Sequence, residues 1–148
     1  MNARTKDIFK QIKNIADTSS LAVLATEVNG APYTSLIGYL LSVDLKYLYF
    51  FTPKNTEKFK NIEINPNVSI LIDNRNKNTG KKSLITAITI IGKASIKEKF
   101  DKTILNKFLV DSPELEEFTK TGLNVLVRVN IDKYILVSKL QEIIEIKP

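Results

Sequence analysis

The 148-residue chain has no cysteine, no histidine and no tryptophan, and its one methionine is Met1. Without cysteine there is no disulfide and no thiolate nucleophile. Without histidine there is no Ser-His-Asp triad and no ordinary zinc site within one chain. A haem iron would lack its usual His, Cys or internal Met ligands, leaving a tyrosine such as Tyr33 or Tyr134. Redox chemistry would therefore have to come from a cofactor held by other means. Proline and glycine number five each and nowhere gather into a linker. There are no repeats and no low-complexity tracts, so the expectation is one domain spanning residues 1–148. Long hydrophobic runs are also missing: nothing approaches the roughly 20 apolar residues of a membrane span. The start, Met1 to Lys13, is polar and amphipathic rather than signal-like, which makes a cytoplasmic protein the expectation.

What is present is globular in composition, 43% hydrophobic and 26% charged. The net charge is +6, which raises the question of nucleic acid. Residues 75–107 carry nine basic side chains against Glu98 and Asp101, a net +7, so the rest of the chain sums to −1. A run of this kind reads first as a solvated face. A nucleic-acid surface would interleave aromatics or arginine with the lysines. Only Phe100 in the run and Phe108 just after it accompany them, at positions that read as the buried side of a helix. Nucleic acid is thus a minor alternative. Only three of the 22 basic residues are Arg, and the abundance of Lys, Ile and Asn reads as a bias toward AT-rich codons.

Along the chain, Ile8, Ile12 and Ile15 recur at helical spacing over residues 5–16. Ser20 to Val28 and Pro32 to Val43 read as strands joined by the hairpin signal Asn29-Gly30, and Gly38 as a bulge or a close approach by something flat. Lys46 to Thr52 reads as a strand apolar on both faces, and so placed between two covered layers. Asn55 reads as the N-cap of a helix from Thr56 to Ile64. Val68 to Asp73 and Ser83 to Ile96 follow as strands. Helices are expected over Glu98 to Val110 and Pro113 to Thr121, with Ser112 and Pro113 as cap and first turn. Leu123 to Ile131 and Tyr134 to Leu140 complete about seven strands. The fold class is mainly β: an antiparallel, Greek-key-like barrel with short peripheral helices.

One stretch carries chemistry. Phe50-Phe51-Thr52-Pro53-Lys54-Asn55-Thr56-Glu57-Lys58 delivers a strand to a helix N-terminus, where free backbone N–H groups and the helix dipole attract an anion. Thr52 and Thr56 add hydroxyls, and Lys58 or Lys54 adds charge. By spacing alone, an ordinary helix cap with surface lysines explains it equally well.

Five blocks in order shift that balance: Leu21 to Thr26, Gly30 to Tyr33, Leu48 to Thr52, Thr56 to Ile62 and Asn65 to Ile72. With their matched gaps they resemble the pyridoxamine 5′-phosphate oxidase-like family of FMN-binding split β-barrels. Ile85 to Ser95 resembles that family's next strand. The resemblance implies a homodimer with FMN at the subunit interface. It implies Ser35, Leu36 and Ile37 beside the flavin ring, Phe51 and Thr52 at the ribityl and phosphate end, Thr56 and Lys58 on the phosphate, and Thr86 and Ala87 at the ring edge. The reading is an FMN-dependent oxidoreductase of unknown small-molecule substrate, or a non-enzymatic flavin carrier; some family members use a deazaflavin. No metal site is expected.

Departures are informative as well. Ser35 and Glu57 stand where several members have Arg, which leaves Lys54 or the Lys81-Lys82 loop to compensate. The segment Gln141 to Pro148 lacks the Arg- and His-bearing substrate motif of true pyridoxamine phosphate oxidases, so the expectation is a different member of the family. The haem-degrading and His-dependent nitroimidazole-resistance branches are disfavoured by the missing histidine. Tyr33 and Tyr39 read as core residues, Asp44 and Asp73 as solvated carboxylates, and Gly92 as a strand kink. Asn67-Val68-Ser69 matches a glycosylation pattern at a strand start and is set aside.

Overall fold

The computed structural model describes residues 1–78, 80–138 and 142–148. Among them, eight antiparallel strands form one sheet, ordered β2-β1-β5-β6-β7-β4-β3 with β8 against β7. The strands are β1 (Leu21–Val28), β2 (Ala31–Gly38), β3 (Leu40–Leu41), β4 (Tyr47–Pro53), β5 (Asn67–Asp73), β6 (Thr86–Lys97), β7 (Asn124–Ser138) and β8 (Glu142–Ile146). The helices are α1 (Ala3–Asp17), α2 (Glu57–Ile64), α3 (Lys102–Asp111) and α4 (Leu115–Lys120).

β2 and β3 are almost one run of chain, interrupted at Tyr39. The first part pairs with β1 and the second with β4, the two ends of the sheet. The sheet therefore closes on itself, and β2 passes β4 with no ladder between them among the described residues. This is a split antiparallel barrel, the expected class. Gly38 marks the point where the chain changes partners. The Asn29-Gly30 turn forms as expected, both residues at positive φ, with the Glu27 carboxylate accepting from the Gly30 N–H.

Alternation fills the interior. Leu24, Leu48, Phe50, Ile70, Ile88, Val127 and Val129 point inward and are fully buried, and α1 contributes Ile12 and Ile15. β7 holds the main departure from simple alternation. Its inward residues are odd-numbered up to Ile131 and even-numbered from Tyr134. A bulge makes the switch: Ile91 pairs with Lys133 but Gly92 pairs with Ile131, leaving Asp132 unpaired. Gly92 is the kink the sequence suggested. A Cβ there would meet the Asn130 carbonyl and lie 2.8 Å from Val129 Cγ1.

The same bulge explains a correction. The phase change made β7 read as two strands, whereas it is one. The last expected positions, Lys139 and Leu140, lie outside the described residues. The acidic-apolar tail, given no strand, pairs with β7 as β8. Strand β6 starts at Thr86, after a short 3-10 turn from Lys82 to Leu84. Thr56 rather than Asn55 caps α2: its backbone is extended, and its hydroxyl accepts from Phe59 N. Ser112 ends α3, its N–H reaching Phe108 O, instead of starting α4. α3 begins only at Lys102, because Asp101 caps it through Thr103 N at 2.9 Å. β4 does not lie between two covered layers. Leu48 and Phe50 are in the core, but on the other face only Phe51 meets α3-side rings, those of Phe100 and Phe108 at centroid distances of 5.2 and 5.1 Å.

Candidate functional site

The β4–α2 junction builds a polar corner inside an apolar barrel. Thr52 ends the inward series of β4 and is buried. Pro53 and a turn bring Thr56 back over it, so the two hydroxyls lie 2.9 Å apart. Thr56 Oγ1 also approaches Pro53 O at 2.9 Å. The N–H groups of Glu57 and Lys58, in the first turn of α2, have no acceptor within the helix. Lys58 is partly buried, and lost hydration alone moves its ammonium below the ordinary lysine pKa. Among the described residues it has no ion pair. Lys54, the suggested compensating cation, is paired with Glu98 at 3.5 Å. Glu57 is exposed and acidic in the first turn, where it competes with an incoming anion for the helix dipole.

α2 is held over this corner by two polar contacts: Asn61 Nδ2 donates to Thr26 Oγ1 at 3.0 Å in the interior, and Asn65 Nδ2 to Glu27 O at 3.0 Å, half-buried. Neither Asn61 nor Thr26 is among the sequence-derived candidates; the signal was a lone Asn on the apolar side of a short helix.

β2 borders the split. Ser35 pairs with buried Leu24 on the inner side, and its Oγ is buried with no hydrogen-bond partner. Such an orphaned hydroxyl is costly unless something completes it. Ile37 is in the core, so only its backbone is available to a ligand, whereas Leu36 points outward and is 65% exposed. Phe51 is likewise committed to α3-side packing. Thr86 is buried and tied to Asn74 through its N–H at 2.8 Å. Ala87 lies on the outer face, paired with Asp73 and Val137. The structure thus gathers Thr52, Thr56 and Lys58 into one corner, sets Ser35 to Ile37 along the split, and leaves Thr86 and Ala87 two strands beyond β1.

The other candidates resolve individually. Tyr39 packs against the core, with its hydroxyl donating to Ala16 O at 2.9 Å and its pKa raised, first by burial and then by Asp17. Tyr33 is 43% exposed rather than core, because the hairpin end of β2 stands clear of the barrel. Asp73 accepts from Arg75 N and pairs with its guanidinium at 3.2 Å. Asp44 accepts from Ser42 Oγ, which holds its carboxyl below the usual range. Tyr134 is in the core, donating to Leu45 O at 2.7 Å, with its pKa raised by burial. A cavity of about 320 Å³ opens between the end of α1, the β2–β3 break and α3, walled by Tyr39, Leu41 and Phe108. A smaller one of about 180 Å³ lies on the outer face beside Leu36, Leu71 and Arg75. Among the described residues no metal-binding cluster of carboxylates occurs, and no helix is long and apolar enough to cross a membrane.

No curated protein sequence matches the chain. Solved structures do. General Stress Protein 26 from Bacillus anthracis is 25% identical, with 95% of this chain and 98% of that chain aligned and a TM-score of 0.73. The heme storage protein HutZ from Vibrio cholerae is 17% identical over 87% of this chain and 92% of that chain, TM-score 0.72. A FAD-binding protein from Mesorhizobium loti is 18% identical over 86% and 90%, TM-score 0.67. The two more distant likenesses speak for the fold alone. The family model described as pyridoxamine 5′-phosphate oxidase matches residues 8–134, most of the chain and every element from β1 to β6, and the chain belongs to that family.

Proposed function

We propose that the chain is an FMN-binding flavoprotein, a flavin-dependent oxidoreductase acting on a small molecule as a homodimer. The observation that carries this reading is the corner at the start of α2. It combines two touching hydroxyls, unpaired helix N–H groups and a dehydrated lysine without a carboxylate partner among the described residues. A terminal phosphate is what such a corner stabilises, because it supplies the missing counter-charge and accepts from the free first-turn N–H groups and the Lys58 ammonium. The residues present fit the group. Thr52, Thr56 and Lys58 hold the phosphate, Ser35 Oγ gains an acceptor or donor, and the backbone of Leu36 and Ile37 offers polar groups along the ring. Phe51 serves through its main chain, and Ala87 presents a small side chain at the ring edge. FMN supplies hydride or electron transfer when bound. The protein's part is to bind, orient and exclude water, since the site offers no evident acid or base. The FAD-binding neighbour supports a flavin in this fold.

The homodimer rests on the outer face. Leu36, Val23, Leu71, Thr89 and Ile135 stand in one cross-strand row, with Leu21 and Ile143 close by. Leu21, Leu36 and Ile143 are each more than half exposed. A contiguous apolar face of this kind marks an association site.

HutZ makes haem the second reading. It is the weaker one here, because Tyr134 is sealed in the core by its hydrogen bond to Leu45, leaving Tyr33 as the accessible oxygen ligand of the two considered. Visible absorption of the purified protein, with and without added FMN, separates the readings. A flavin spectrum or saturable FMN binding supports the first. A Soret band with no flavin affinity replaces it with the second. Lys58→Ala is expected to weaken FMN binding by about 1.5 to 3 kcal/mol, the worth of a charge-assisted hydrogen bond. Unchanged affinity in a titration would place the phosphate elsewhere. Turnover with NADH or NADPH then divides an enzyme from an electron carrier.

A further inference from the structure

We propose that the outer face of β4, β7 and the second half of β6 binds single-stranded nucleic acid, at a site separate from the α2 corner. The lysine run of residues 75–107 shows no interleaved aromatics in sequence, but the sheet register supplies them in space. Lys93 pairs with Asn130, which pairs with Tyr47; Ser95 pairs with Arg128, which pairs with Tyr49. Paired residues share a face, so two tyrosines, an arginine and, on β6, Lys93 and Lys97 flanking Ser95 lie together on the outside of the barrel. Tyr47 and Tyr49 are only partly buried, with ring centroids 6.4 Å apart.

Arg128 joins the two halves of this face. Its guanidinium lies 5.0 Å from the Tyr47 ring centroid, and its Nε is buried without a hydrogen-bond partner. Among the described residues no carboxylate pairs with Arg128, Lys93 or Lys97. Asp44, felt at Tyr49, is the nearby acidic group, and it is occupied by Ser42 and Lys46 N. An arginine placed over an aromatic ring, with no counter-ion among the described residues, suits a ligand that brings both a flat face and a phosphate. Bases stack on the tyrosines while Lys93 and Lys97 track the backbone, which is the arrangement of sequence-tolerant single-strand binders. The face is an open sheet surface rather than a groove or a projecting helix, so it addresses unstacked bases and not the interior of a duplex.

The test is fluorescence anisotropy of a labelled 12-residue deoxythymidylate oligonucleotide with the full chain at low salt. Saturable binding that falls steeply with salt is expected. Tyr47→Leu with Tyr49→Leu should weaken it tenfold or more, and Tyr47→Phe with Tyr49→Phe should restore it, since the rings remain. Lys93→Gln with Lys97→Gln should lower the salt slope by about two. Lys81→Gln with Lys82→Gln, in the same basic run but off this face, should leave affinity unchanged. The proposal is overturned by absence of binding, by tighter binding to the matching duplex, or by leucine variants that melt like the parent yet bind equally well. If the leucine variants do not fold, an equal loss in the Lys93/Lys97 and Lys81/Lys82 pairs overturns it instead.

Discussion

The barrel has one continuous outer surface but two chemically different halves, divided at the Gly92 bulge. On the β2-β1-β5 side, extending to β8, the outward residues include the apolar Leu36, Val23, Leu71 and Ile143, with polar Thr34, Ser69 and Glu145 toward the margins. On the β4-β7 side they include Tyr47, Tyr49, Arg128 and Lys93, beyond which Phe51 and Leu126 are covered. Both halves cover the same core with the same alternation, so neither composition is dictated by folding. Strand interiors need apolar residues on one face only; what the other face carries reports what it meets. An apolar half meets another apolar surface. A half with partly exposed rings and cations unpaired among the described residues meets something flat and anionic.

That contrast can be broken most severely by moving a charge. Leu71→Glu puts a carboxylate in the middle of the apolar row, and is expected to cost about 2 to 5 kcal/mol of association free energy if that row is the subunit interface. The same charge at Tyr47 should leave association unchanged. Sedimentation velocity on both variants decides it. A dimer lost through Tyr47→Glu and kept through Leu71→Glu would exchange the roles of the two halves.

The seam between the halves is the next target. Gly92→Ala adds a methyl against the Asn130 carbonyl and Val129 Cγ1, at contacts no side chain tolerates without movement. A destabilisation toward the upper end of about 1 to 3 kcal/mol is expected, read as a lower urea midpoint. Because the bulge sets which residues of β7 face outward, the variant should also perturb both surface activities. A variant as stable as the parent would mean that the strand re-registers freely and that the two halves are not fixed relative to each other.

How much of this was legible beforehand differs by region. The Asn29-Gly30 hairpin, α1, and β4 leading into α2 were readable because each obeys a local rule of period, turn or cap. The corner of Thr52, Thr56 and Lys58 was visible for the same reason: all three lie within seven residues. Strand β7 was misread because a one-residue bulge changes the inward phase at Asp132, and a period-2 pattern that changes phase looks like two strands. The Tyr47-Tyr49-Arg128 face was missed because it joins residues about 80 positions apart. Segment-wise charge counting cannot find an aromatic supplied by a neighbouring strand. Ser35 shows a further gap: nothing local to β2 signals that closure of the barrel buries its hydroxyl.

The smallest expected effect separates the two cation sites by pH. Lys58 has its pKa lowered from 10.5 by lost hydration. In the free protein it therefore gives up its proton earlier than an exposed lysine as pH rises. A phosphate prefers the protonated form, so FMN affinity should be constant at neutral pH and decline as pH climbs through the lowered pKa. Ligand-free stability has the opposite sign: the unfolded chain holds the proton more tightly, so stability rises across that window. Lys58→Arg should flatten the affinity profile, because a guanidinium keeps its charge there, and the difference between the two profiles cancels any titration of the flavin itself. Nucleic-acid binding at the Arg128 face should show no step in common with Lys58. If wild type and Lys58→Arg lose FMN in parallel, the dehydrated ammonium does not face the phosphate, and the corner is a helix cap after all.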